Sequence, residues 1–141
     1  MSTLKVTNVA HETSTLNTLV FDNGGGSGNG RVTTKGTIGE ISAVSYASTI
    51  TLDFRTANNF STTLTGNVTF ANPSNISAGQ SGVLFIPQDG TGSRTAAFGS
   101  YWDFSDGTAP TLSTGANQVD VIAWIARTNT NIAAQFIGNF S

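Results

Sequence analysis

The chain has 141 residues and a formal net charge of −2, with 10% charged residues, and its length suits one compact domain. Thr, Ser, Asn and Gly make up almost half of the sequence, whereas Lys and Glu occur only twice each, so the composition favours strands and turns and argues against a mostly helical fold. Because basic residues are fewer than acidic ones, the chain offers no positive field for phosphates, and we expect neither nucleic acid binding nor membrane insertion.

The first 22 residues predict a short β arm. Its apolar residues fall into two groups within polar sequence: Leu4 and Val6, then Leu19, Val20 and Phe21. Two strands of this size cannot hold a core of their own, so the arm needs a partner surface. The N-terminus lacks the apolar run of a signal peptide, and we therefore expect synthesis in a cytoplasm without processing.

A glycine-rich segment follows the arm. Between Asn23 and Gly30 the residues are only glycine, asparagine and serine, a composition that is costly to order and typical of flexible connectors. The sequence therefore predicts three parts: the arm at 1–22, a linker at 23–40 and a body at 41–141.

The first half of the body predicts short strands. Ile50, Leu52 and Phe54 alternate with polar neighbours, which is the period-2 pattern of a half-buried strand. The dipeptide Gly66-Asn67 predicts a hairpin turn between the two short strands that flank it.

The second half of the body predicts longer and more buried strands. The apolar run 83–86 ends at Pro87 and is typical of a central strand. Two further apolar segments, 119–126 and 132–137, predict a C-terminal hairpin that extends toward Phe140. Strands and turns at this spacing indicate an all-β fold, with an antiparallel, jelly-roll-like β-sandwich as the body.

Few residues suggest catalysis or metal binding. The chain has no cysteine and one histidine, His11, so it lacks the donors of a zinc site or a catalytic triad. Asp103 and Asp106 would suit glycoside hydrolysis as a carboxylate pair, but Asp106-Gly107 is also a common turn dipeptide. No base, nucleophile or metal ligand accompanies the pair, and we expect no enzyme, no cofactor and no metal.

The aromatic segment that begins at Tyr101 is the most specific local feature. Tyr101 and Trp102 could stack on the face of a sugar while Asp103 and Asp106 bond its hydroxyl groups. Since consecutive strand residues point to opposite faces, the two rings are also explained by packing in the core or against another subunit. Packing is the commoner use of such rings, and both interpretations stay open.

Several segments resemble proteins of tailed bacteriophages. The opening segment Met1–Val9, followed by Thr18–Asp22, resembles the N-termini of structural and fibre proteins of tailed phages, particularly marine and cyanobacterial ones. Segments of the second half, Leu64–Pro73, Gln88–Arg94 and Ile137–Phe140, are similar to a C-terminal module of such proteins. These segments are spread over most of the length of the chain, without the long repetitive shaft of a full tail fibre.

This resemblance implies a non-enzymatic structural protein on the virion surface, and we expect a short head fibre or capsid decoration protein. The apolar residues of the arm would anchor it to capsid or tail structural proteins by strand addition. The resemblance also implies a homotrimer, for which the apolar segments 119–126 and 132–140 offer an interface. The alternative is a tail-fibre receptor- or carbohydrate-binding module that binds host surface glycans through residues 101–106.

Overall fold

The computed structural model describes residues 38–140, and these form nine β-strands and one short 3₁₀ helix. The prediction of an all-β fold is confirmed. Within this part of the chain, no helix is long and apolar enough to span a membrane. In chain order the strands are β1 (Ile41–Ala43), β2 (Thr49–Ile50), β3 (Asn59–Ser61), β4 (Val68–Phe70), β5 (Ser81–Pro87), β6 (Ala96–Phe98), β7 (Trp102–Phe104), β8 (Val119–Thr128) and β9 (Asn131–Phe140).

The first six strands alternate between two sheets. β1, β3 and β5 lie side by side in one sheet, β2, β4 and β6 lie side by side in the other, and all of these neighbours are parallel. Two isolated parallel bridges, Asp53 with Ser74 and Leu64 with Gln88, join successive turns between the sheets. The chain therefore winds as a coil in which each turn stacks on the one before, as in a solenoid.

This coil differs from the predicted antiparallel sandwich. Gly66-Asn67 is followed by β4, which pairs in parallel with β2 and β6 rather than with the segment just before the turn. Turn residues specify that the chain changes direction, but they do not specify the strand with which the next segment pairs. The antiparallel arrangement holds only for β5, β8 and β9.

Asparagine side chains join successive turns of the coil at its corners. The hydroxyl of Tyr46 donates to the carbonyl oxygen of Asn67 at 2.9 Å, and the Oδ1 atom of Asn67 accepts from the backbone N–H of Thr95 at 3.1 Å. On another corner, Asn72 Oδ1 accepts from the backbone N–H of Tyr101 at 2.9 Å. The amide oxygens of Asn67 and Asn72 thus accept from backbone N–H groups of the next turn, and the Tyr46 hydroxyl satisfies the backbone carbonyl of Asn67.

A C-terminal hairpin extends the first sheet to six strands, in the order β1-β3-β5-β8-β9-β7. β8 pairs antiparallel with β5 on one side and with β9 on the other, so the predicted hairpin is confirmed and β9 reaches Phe140. β7 adds to the edge in parallel with β9. β5 lies between two strands, as its continuous apolar run predicts.

The core lies between the two sheets and contains a chain of aromatic rings. Phe54 stacks on Trp124 with ring centroids 4.1 Å apart and meets Trp102 edge-on at 6.3 Å. Phe98 in turn meets Trp102 at 5.8 Å and Phe104 at 4.9 Å, again edge-on. These offset and edge-on geometries are the favourable ones for aromatic pairs, and the rings link the two sheets across the core.

Candidate functional site

The structure places Trp102 in the core rather than on a binding surface. Its side chain is only 6% exposed and packs against Phe54 and Phe98. Its indole N–H donates to the carbonyl oxygen of Ala71 at 3.2 Å. Tyr101 is half-buried and packs against the same core. The positions of both rings therefore agree with packing in the core, one of the two interpretations of this segment.

The two carboxylates of the same segment are exposed and have no partner in common. Asp103 points away from the core, on the other face of β7 from Trp102, and accepts from Arg127 at 3.2 Å and from Asn131 at 3.5 Å. Asp106 lies in the 3₁₀ turn with a φ of 59°, in the left-handed region that Asp and Asn tolerate in turns. The structure thus does not gather the four candidate ligand residues into one site.

On β5, β8 and β9, the face that points away from the core carries a group of apolar residues. Along β8 and β9 these residues alternate with those that point into the core, and β5 contributes two more on the same side. Cross-strand register places Phe85 next to Val121, and Val121 next to Ile137. We define this surface as the outer apolar face: Val83, Phe85, Val121, Ala123, Ile125, Ala133 and Ile137.

A hollow with a volume of about 540 Å³ lies on the outer apolar face. It is lined by Ala123 and Ala133, whose small side chains leave space next to Ile125, and by the polar residues Asp103 and Gln135. Such a hollow can receive an apolar side chain or the apolar face of a ring. Sequence reasoning missed it, although alanines at alternate positions among larger apolar residues were a signal for it.

Two of the buried polar side chains of the body, those of Asp120 and Gln88, bond to the backbone. Asp120 is fully buried, and its carboxylate accepts from the backbone N–H groups of Ser113 at 2.7 Å and Asn139 at 3.0 Å. The side chain of Gln88 donates to the carbonyl oxygens of Arg94 and Ser113 and accepts from the N–H of Arg94, each at 2.9 Å. The side chains of Asp120 and Gln88 therefore hold the backbone in place, whereas the buried hydroxyl of Thr62 has no hydrogen-bond partner among the described residues.

Two further carboxylates are held in their charged form. The side chain of Asn75 donates to Asp53 at 2.8 Å and lowers the pKa of that carboxyl. The guanidinium of Arg94, at 2.9 Å, lowers the pKa of Asp89, with help from the backbone N–H of Gly92. In their charged form, both carboxylates accept hydrogen bonds that hold loops in place. Within residues 38–140, no three acidic or histidine side chains gather as a metal site.

The residues predicted to anchor the protein to the virion lie outside the described part of the chain, as do the arm and most of the linker. Their role stays a prediction. The predicted anchoring residues are Leu4, Val6, Leu19, Val20 and Phe21.

One comparison with known proteins assigns a family. A family model described as "Putative phage tail fibre C-terminal domain" matches residues 33–130, which include the whole coil and β8. No curated protein and no solved structure matches the chain. The resemblance to structural and fibre proteins of phages is therefore confirmed at the level of the family, and the chain belongs to the family of phage tail fibre C-terminal domains.

Proposed function

We propose that the protein is a non-enzymatic structural component of a phage virion and that residues 41–141 serve as a tail fibre domain. The family match over residues 33–130 carries this proposal. The contacts of the site support it, because Asp103 pairs with Arg127 and the buried Asp120 bonds to backbone. Both carboxylates are thus engaged in contacts that hold the fold together.

The tail is favoured over the head as the location. The name of the family refers to tail fibres, whereas a short head fibre or capsid decoration protein was the first expectation from sequence. The partners would then be other structural proteins of the tail, with residues 1–22 as the attachment. The homotrimer implied by the resemblance stays part of this proposal.

Electron cryo-microscopy of purified virions tests the location. We expect density that fits the coil and the C-terminal hairpin in the tail apparatus. Virions grown from a phage that lacks this chain are the matched control and must lose that density. Density on the head lattice would overturn the tail location and support capsid decoration. Absence from the virion would overturn the structural function itself.

Binding of host surface glycans is the competing function, and the burial of Trp102 weakens it. The remaining exposed candidates are Asp103 and Asp106, together with the half-buried Tyr101. A glycan array with the purified chain tests this alternative. Under our proposal no saturable binding is expected. Saturable binding that is lost in Asp103→Ala or Asp106→Ala but kept in the control variant Ile38→Glu, outside this segment, would replace the purely structural function with receptor recognition.

A further inference from the structure

We infer that Arg55 and the polar hollow beside it form a binding site for an acidic side chain of another virion protein. The polar hollow has a volume of about 450 Å³ and lies at a corner of the coil, where the segment after β2 meets the loop before β5. This inference deepens the proposed function and rests on it for the kind of partner. The residues that line the polar hollow are Phe54, Arg55, Asn75, Ile76, Ser77 and Gln80.

Arg55 is the one basic side chain that the described part of the chain leaves without an ion pair. The described residues contain three arginines and neither lysine nor histidine. Arg94 pairs with Asp89 at 2.9 Å, and Arg127 pairs with Asp103 at 3.2 Å. A carboxylate from another protein would give Arg55 the same kind of partner as the other two arginines have within the chain.

The nearest carboxylate in sequence, that of Asp53, is bonded to other donors. Its Oδ1 atom accepts from the backbone N–H of Arg55 at 3.0 Å and from the side chain of Asn75 at 2.8 Å. Arg55 thus meets Asp53 through its backbone, and the five N–H donors of its guanidinium stay available for another acceptor. The negative charge of Asp53 also disfavours a doubly charged anion such as phosphate more than a singly charged carboxylate.

The polar hollow is preformed, because one side chain ties its two walls together. The amide nitrogen of Gln80 donates to the carbonyl oxygen of Phe54 at 2.5 Å and to the Oδ1 atom of Asn58 at 2.8 Å. The amide oxygen of Gln80 accepts from the backbone N–H of Ser77 at 3.3 Å. A site whose walls are already ordered loses less conformational entropy when a ligand binds.

The lining favours an acidic side chain over a sugar. A guanidinium binds a carboxylate through two parallel hydrogen bonds. Beside it, the exposed Ser77 offers a hydroxyl group, and the half-buried Ile76 offers an apolar contact for the methylene groups of an aspartate or glutamate. A sugar ring would stack on an exposed aromatic ring, but Phe54, the one ring in the lining, is only 2% exposed.

Titration of the full chain with a peptide, followed by NMR, tests the site. The peptide has blocked termini and one glutamate between two glycines, and the same peptide with glutamine is the matched ligand control. We expect the glutamate peptide to shift the backbone amide signals of residues 54–58 and 74–80 in a saturable way, with a Kd of about 1–10 mM. The glutamine peptide should not saturate.

Two variants that each remove one positive charge test the role of Arg55. Arg55→Gln should weaken binding of the glutamate peptide about ten-fold. Arg127→Gln is the matched control, because Arg127 belongs to an exposed ion pair outside the polar hollow, and it should bind the peptide as the unmodified chain does. Equal shifts with both peptides, or equal weakening in both variants, would overturn the inference.

Two other ligands, titrated in the same way, test the chemical class of the partner. Glucuronic acid carries a carboxylate on a sugar ring, and inorganic phosphate carries more charge without a carboxylate. We expect both to bind more weakly than the glutamate peptide. Tighter binding of glucuronic acid would overturn the protein partner and point to an acidic glycan. Tighter binding of phosphate would overturn the preference for a carboxylate.

Cross-linking in purified virions identifies the partner. Arg55→Lys places an amine at the polar hollow, and a carbodiimide reagent joins an amine to a carboxylate that it contacts. We expect mass spectrometry to find position 55 joined to an aspartate or glutamate of another virion protein. Thr56→Lys, at an exposed position next to the hollow, is the matched control and should not give this link. Arg127→Lys should join to Asp103 of the same chain and so checks the reagent.

The cross-linking has three outcomes that would overturn the inference. They are a link from position 55 to Asp53 alone, no link from position 55 while Arg127→Lys reacts, and the same link from position 56. Absence of the chain from virions would instead overturn the proposed function. In that case the titration of the purified chain still decides whether the polar hollow binds a carboxylate.

Discussion

Asp120 connects a loop to strand β9 through one buried carboxylate, which accepts from the backbone of Ser113 in the loop and of Asn139 in the strand. In Asp120→Asn, an amide nitrogen would face one of these N–H donors and leave it without an acceptor. A buried donor without a partner costs about 1–3 kcal/mol, and we expect the free energy of unfolding in urea to fall by that amount. Asp106→Asn, at an exposed turn position, is the control. Equal losses in both variants would contradict the role of Asp120.

Asp89 makes the stability of the protein sensitive to acid. Its pKa is lowered in the folded protein by Arg94, so it stabilises the fold above its unfolded pKa and loses that effect when it is protonated. We expect the melting temperature to fall as the pH drops below about 4. In Asp89→Asn the melting temperature should be lower at neutral pH and should fall less on acidification. An unchanged pH profile in this variant would be inconsistent with the pair.

The burial of a residue was predictable where apolar and polar residues alternate regularly along the sequence, and not where this alternation is broken. Alternation predicted the burial of Ile50, Leu52 and Phe54, although only the first of them lies in a strand. The burial of Asp120 was not predictable, because its carboxylate is satisfied by backbone N–H groups of Ser113, in the loop before β8, and of Asn139, in β9, and the sequence does not show that these groups converge on it.

At the scale of one element, β7 places its residues on two faces with opposite consequences. Trp102 belongs to the aromatic chain of the core, whereas Asp103 is exposed on the outer side. Trp102→Ala should lower the free energy of unfolding by about 3–5 kcal/mol, as large core truncations do. Asp103→Ala, one residue away, removes an exposed ion pair and should cost less than about 1 kcal/mol. Chemical denaturation of both variants measures the contrast, and similar losses would refute this placement.

The pairing of elements was predictable only where it was local. β8 and β9 are adjacent in sequence and joined by a short turn, so their pattern fixes their pairing. β1, β3 and β5 pair with one another across whole turns of the coil. The sequence of each strand does not indicate which other strand it pairs with. The hollow on the outer apolar face was predictable only in part. The apolar strands that form it were recognised from the sequence, but the hollow itself depends on the register in which β8 and β9 pair.

At the scale of the whole molecule, the arm and the body have separable roles in our proposal. Deleting residues 1–22 should leave a folded body, because the aromatic core described above is built from residues within 38–140. The truncated protein should no longer join virions, which quantitative mass spectrometry of purified particles would measure. The matched control is a full-length chain with the arm intact and Ile38→Glu. Incorporation of the truncated protein at the full level would show that the arm is not the anchor.

The strand order of the six-stranded sheet also sets an order of folding. Closing a short loop is faster than joining distant segments, so the hairpin of β8 and β9 should form early. β5 then adds to β8, β3 adds to β5, and β1 adds to β3 at the far edge. The β8–β9 hairpin, to which the other strands add, is thus synthesised after β1, β3 and β5. We therefore expect the body to fold only after β8 and β9 have left the ribosome.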